Sequence, residues 1–124
     1  MHRTQGKRYG FSKKHRLTGK NDINLLFQKG KFKSCGFLKF RYLSQTRGYT
    51  RVVISISKRV GKAPVRNRLK RLIRETLRTS DFLRNRTMDC AIFITRPLQK
   101  KPSLESVQKY VSRFFLDLPD EYKT

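Results

Sequence analysis

The sequence predicts an α+β domain, a single sheet packed with helices in the order helix, strand, strand, helix, strand, helix, with room for a short extra strand near residues 31–34. Three observations predict it. Period-2 alternation runs through "GFLKFRYLS", and β-branched residues fill "TRVVISIS", as strands require. Apolar residues recur at helical spacing in "NDINLLFQKG", "APVRNRLKRLIRETLR" and "PSLESVQKYVSRFFLDLP". A length of 124 residues, with nine Phe and five Tyr, suits one modest core.

Residues 1–15 contain no acid and little apolar periodicity, so a flexible basic arm is expected there, followed by one domain over 16–118 and a tail over 119–124. In the first helix Ile23, Leu26 and Phe27 fall at i, i+3 and i+4, and Gly30 offers a left-handed stop. The next segment points Phe37, Lys39 and Arg41 to an open face and Leu38, Phe40 and Tyr42 to a core. "QTRGY" is a turn. The following strand has Val52, Ile54 and Ile56 on one face and Val53, Ser55 and Ser57 on the other.

Pro64 suits the first turn of the second helix, where a missing N–H costs nothing. At ~100° per residue, Val65, Leu69, Leu72, Ile73 and Thr76 share one stripe. Arg66, Asn67, Lys70, Arg71, Arg74 and Arg78 occupy much of the rest, with Arg68 on a flank. "DCAIFITRP" reads as a buried strand ended by Pro97. In the last helix Ser103 is the N-cap, and Leu104, Val107, Val111, Phe114 and Leu118 form the stripe.

A net charge of +23 opposes compaction and calls for a polyanionic partner. Nucleic acid answers it, because neutralised phosphates release condensed counterions. A membrane surface is the competing polyanion, but no apolar run approaches the ~20 residues of a span, and no apolar block follows the basic start. A soluble, cytoplasmic protein is expected. Cys35 and Cys90 have no CxxC partner, and Cys90 is expected to be a buried small hydrophobe. His2 and His15 have no acid nearby in sequence, no zinc spacing occurs, and "GKAPVRN" lacks the phosphate-loop pattern. Any chemistry is therefore expected to belong to a partner.

The cationic helix carries the most information. A solvated face normally mixes signs, but here only Glu75 is within reach, of Arg71 and Arg78. Arg dominates over Lys, which suits bidentate phosphate contact, and the Asn67 amide suits a base edge or a 2′-hydroxyl. Phe37, Lys39 and Arg41 mix stacking and charge, as single-stranded nucleic acid favours; the alternative is that Phe37 and Phe27 are simply packed.

The segment "SKRVGKAPVRNRLKRLIRE", residues 57–75, closely resembles the signature of the protein subunit of bacterial ribonuclease P, with Arg66-Asn67-Arg68 at its centre. "RLTGKNDINLLFQKG" and "MDCAIFITRP" resemble that family's opening helix and last strand. The resemblance implies a ribosomal-protein-like α/β sandwich with a left-handed βαβ crossover, where general rules favour a right-handed one. It also implies a role beside a catalytic RNA that removes the 5′ leader from precursor tRNA, with one protein per RNA. Magnesium is then expected at the RNA active site and no cofactor on the protein. Carried over by position, Arg66, Asn67, Arg68, Lys70, Arg71 and Arg74 face the catalytic RNA. Ile23, Phe27, Phe37, Lys39, Arg41, Ser55, Ser57 and Lys58 hold the leader. The chain departs from the family where Ile23 replaces a frequent Phe, where Lys39 and Arg41 replace apolar or aromatic groups, and where Val53 replaces a common Gly. Two rivals remain at this point: a ribosomal protein of the same fold, and a helix-turn-helix DNA binder using residues 64–78, for which no suitable helix sits just before residue 58.

Overall fold

A computed structural model describes residues 12–124. Most of the expected basic arm, including His2, lies outside the described residues. The elements are α1 (Lys20–Lys29), β1 (Lys31–Cys35), β2 (Leu38–Ser44), β3 (Arg51–Ile56), α2 (Ala63–Arg78), a short α3 (Phe82–Asn85), β4 (Met88–Ile94) and α4 (Leu104–Leu116). The short extra strand is thus present as β1. The sheet runs β1-β2-β4-β3; β1, β2 and β4 pair antiparallel, and β3 lies parallel to β4 at the edge. Helix α2 makes the crossover between those parallel neighbours.

Alternation divides the sheet into two faces. Leu38, Phe40, Val52, Ile56, Cys90, Ile92 and Ile94 are buried on the first, under α2 and α4. Phe40 stacks on Phe114 at 4.0 Å and 5°, and Phe82 stacks on Phe115 at 4.8 Å and 4°, so aromatic rings fill much of this core. Both cysteines are buried and free, Cys90 as expected of a small hydrophobe, and burial pushes the Cys90 thiol pKa far up. Ser103 caps α4 in a reciprocal pair with Ser106.

The second face is covered only in part. Leu26 of α1 packs with Leu17 and Ala91, and with half-buried Ile23, Leu43, Val53 and Phe93. Gly30 ends α1 differently from expectation: its φ is −70°, in ordinary extended backbone. Glycine is required there for space, because a Cβ would fall on the Leu26 carbonyl oxygen. Gly36 is the residue that needs its freedom, with φ +58° and the Tyr110 ring lying where a Cβ would be.

Packing extends beyond the expected bounds at both ends. Residues Lys13–His15 form a 3-10 turn, and His15 is buried with its Nδ1–H donating to the Thr50 carbonyl at 2.9 Å. After α4, Tyr122 is buried against Tyr42, and Arg86 pairs with Lys123 in an isolated bridge, so the tail is docked.

Burial, and after it the charges of Lys14 and Arg84, hold the His15 pKa below its usual value, while the Thr50 carbonyl opposes them. Below the ordinary histidine pKa, near 6.5, the unfolded chain takes up a proton that the folded chain resists. Stability is therefore complete above that pH and falls as pH drops through it, by at most about 1.4 kcal/mol per pH unit. Denaturant midpoints between pH 7.5 and 5.5 are expected to show a slope that His15→Gln flattens; equal slopes would contradict the assignment.

Candidate nucleic-acid interface

Helix α2 is fixed by its apolar side. Leu69, Ile73, Thr76 and Leu77 are buried, Leu72 is half-buried, and the Thr76 hydroxyl donates to the Leu72 carbonyl at 2.9 Å. Val65, expected on this stripe, is 43% exposed because the first turn faces the loop after β4, where Val65, Val60, Leu98 and Pro102 line a shallow hollow of about 400 Å³. Leu77 joins the core further along.

The opposite side of α2 keeps the charges of Lys70, Arg71 and Arg74 unneutralised among the described residues, while Arg78 is paired. Among the described residues Lys70, Arg71 and Arg74 make no ion pair or hydrogen bond. Glu75 engages Arg78 through two contacts at 2.6 and 3.1 Å, and that guanidinium holds the Glu75 carboxyl below the usual carboxylate range. The expected Glu75 pairing with Arg71 does not form. Asn67, Lys70, Arg71, Arg74 and Arg78 border a concavity of about 590 Å³ together with Arg16, which arrives from before α1. Two motif residues stand apart from this cluster. Arg66 Nε donates to the Gly61 carbonyl at 3.0 Å, and Arg68 Nη2 donates to the Pro102 carbonyl at 3.2 Å with its Nε buried and unpaired. Arg68 is thus directed at the loop, as its flanking angle on the helix allows.

A cleft lies on the partly covered face, between α1 and the sheet. Lys39 and Arg41 project into it from β2 and Ser55 from β3, because register aligns Lys39 with Phe93 and Phe93 with Ser55. Lys39 Nζ donates to Thr95 Oγ1 at 2.9 Å; Arg41 Nη1 donates to the Gly30 carbonyl at 3.3 Å and its guanidinium sits 5.2 Å from the Phe32 ring. Phe27 of α1 meets Phe93 edge-on at 5.7 Å, and Phe32 lies 6.4 Å from Phe93. Phe27 and Phe32 are 41% and 49% exposed, far more than packing alone would leave, so ring faces are presented beside two cations. Ile23 is half-buried on the inner side of α1. Ser57 and Lys58 follow β3; the Ser57 hydroxyl caps a 3-10 turn, and Lys58 is exposed.

Phe37 does not join this group. It belongs to the β1–β2 turn and packs edge-on against Tyr110 of α4 at 5.1 Å, on the opposite face of the sheet. The left-handed Gly36 before it breaks the alternation from which its direction was read. Phe32 and Phe93 are the cleft residues that the sequence reading missed. Phe32 was signalled by alternation between Lys31 and Lys33, whereas Phe93 shares its face with buried Asp89 and Ala91 and carried no such signal.

The end of the cleft is clamped by a polar network. Arg51 donates to Asp89 through Nε and Nη2 at 2.9 and 2.7 Å, and Nη2 also reaches Asp22 of α1 at 3.3 Å. The Asp89 partner raises the Arg51 pKa further above its already high value. Asp89 also accepts from Gln45 at 3.2 Å. The clamp ties α1 to β3 and β4 and so fixes one wall of the cleft. Among the described residues no three His, Cys, Asp or Glu side chains gather as metal donors, and no helix is long and apolar enough to cross a membrane.

Comparison with known proteins gives a consistent picture. Residues 11–118 match the family profile Ribonuclease P. The ribonuclease P protein component of Clostridioides difficile (strain 630) is 31% identical over 101 residues, covering 82% of this chain and 89% of that protein. The component from Bacillus cereus (strain 03BB102) is 38% identical over 66 residues, an alignment spanning 52% of this chain and 57% of the relative. The RNase P protein from Thermotoga maritima superposes with a TM-score of 0.71 at 23% identity, covering 84% of this chain and 97% of that one, and so shares its fold.

Proposed function

The chain belongs to the ribonuclease P protein family, the protein subunit of the enzyme that matures tRNA 5′ ends, and from that premise we propose that it binds the catalytic RNA through α2 and holds the 5′ leader of precursor tRNA in the cleft beside α1. The observation that carries the reading is the pairing of an unneutralised cationic helix face with a separate aromatic and cationic cleft. The first can neutralise phosphates of a folded RNA, and the second suits unpaired nucleotides, whose bases can stack while their phosphates meet Lys39 and Arg41. The family match weighs against a ribosomal protein, and the turn at Lys58–Val60 directly before α2 offers no partner helix for a helix-turn-helix.

In this reading the protein is a counterion placed between two polyanions, one copy per catalytic RNA, in the cytoplasm with its substrate. Hydrolysis and its magnesium ions belong to the RNA. The chain's residues position the leader and screen repulsion, which tightens precursor docking and indirectly favours metal occupancy in the RNA. Titrating magnesium with and without protein is expected to show a lower midpoint with it; identical midpoints would contradict that link.

The cleft assignment is tested by reconstitution with a cognate catalytic RNA. Lys39→Ala with Arg41→Ala is expected to weaken precursor tRNA by roughly tenfold, about 1.4 kcal/mol, and mature tRNA far less. Equal losses for both would contradict the assignment.

A further inference from the structure

The concavity along α2 does not stop at the helix. A second hollow of about 440 Å³ is floored by Val52, Val53 and Ile54 of β3, and Arg16 and Arg74 border both. The two therefore form one trough that leads from the cationic face of α2 across the outer edge of the sheet. β3 is an edge strand, and among the described residues only its beginning is paired on the outside, where the Leu17 N–H donates to the Val52 carbonyl at 2.9 Å. Ladder alternation then turns the Ile54 N–H and carbonyl outward into the trough, while Val53 and Ser55 face β4. The Ser57 N–H, in step with them, donates to Ile94. Val53 also packs with the Leu17 and Leu26 cluster, so the trough ends beside the elements that carry the cleft.

We propose that this trough seats one strand of the catalytic RNA, its phosphates between the Arg16 and Arg74 side chains and its sugar edge over Ile54. The inference rests on the assignment of α2 to the catalytic RNA and extends that contact to Arg16 and the β3 edge. Charge complementarity selects the occupant: the Arg16 and Arg74 guanidinium groups flank the mouth, and a phosphodiester brings them a matching negative charge whereas a peptide strand paired on β3 does not. The hollow is within the size range of small-ligand sites, room for about one nucleotide. An RNA strand so placed runs from the ribozyme contact to the neighbourhood of the leader, which gives the two RNAs a fixed relative position.

The test compares Arg16→Gln, Arg16→Lys and Arg71→Gln in binding to the catalytic RNA across a salt series, with the full chain. Arg16→Gln is expected to bind about five- to tenfold more weakly with a log–log salt slope shallower by ~0.7 to 0.9, and Arg16→Lys to keep the parental slope. An unchanged Arg16→Gln beside a weakened Arg71→Gln would overturn the trough and leave the α2 assignment standing. No change in either would overturn both. An Arg16→Gln that weakens precursor tRNA alone would give the trough to the substrate and overturn the proposal. Independently, Thr18→Cys places an exposed thiol next to Leu17 while Cys35 and Cys90 stay buried. An iron chelate attached there is expected to cleave the catalytic RNA within one short run of nucleotides; scattered cleavage or none would overturn the proposal.

Discussion

Replacing Arg71 and Arg74 together by Ala is expected to weaken binding of the catalytic RNA by about tenfold or more at near-physiological salt, and to leave stability within about 0.5 kcal/mol. Both side chains are exposed and neither has an intramolecular partner among the described residues, so their removal leaves no buried group unpaired. Two lost phosphate contacts flatten the log–log salt dependence by ~1.4 to 1.8, and that slope is the diagnostic quantity. A change of affinity at unchanged slope would mean that these residues do not meet phosphates. Arg68 is a poor probe of the same surface. Its guanidinium holds the Pro102 carbonyl with a buried Nε, so its truncation also disturbs the loop before α4.

Asp89→Ala is expected to carry the largest cost in stability, about 3 kcal/mol by denaturant midpoint, because breaking one side of a mostly buried pair strands the other charge. The Arg51 and Asp89 side chains are 15% and 11% exposed. Asp22, 3.3 Å from Arg51, remains and offsets part of the loss. The same variant leaves Arg51 held by Asp22 alone and no longer anchored to β4, which loosens one wall of the cleft, so discrimination of precursor from mature tRNA is expected to fall with it. Replacing Arg51 and Asp89 together by Leu is expected to recover much of the stability, since apolar isosteres avoid the desolvation cost. A loss below about 0.5 kcal/mol for Asp89→Ala would place the pair with ordinary surface bridges.

The sequence made the elements and the cationic face legible because both depend on local period. Leu69, Ile73 and Thr76 fix which side of α2 is buried, and the cations of the other side follow from their positions between them. Lys39 and Arg41 were legible for the same reason, as they alternate with buried Leu38 and Phe40. What was not legible depends on turns and on partners distant in sequence. Phe37 left the cleft because the Gly36 turn sets its direction, and Gly30 proved to be a matter of space where a left-handed stop was expected. Phe93 sits in a strand so apolar on both sides that a single buried reading hid its exposed edge. The Arg51, Asp89 and Asp22 clamp joins three elements whose proximity no spacing reveals. His15 read as part of a basic arm until Thr50 supplied its partner.

The most direct measurement of the central claim is leader removal from precursor tRNA by a cognate catalytic RNA at near-physiological salt, with and without this chain. The account predicts that the chain tightens precursor binding well beyond its effect on mature tRNA, and that the advantage shrinks as added salt takes over the screening. A catalytic RNA that gains nothing from the chain, or gains equally with precursor and mature tRNA at every salt concentration, would contradict it.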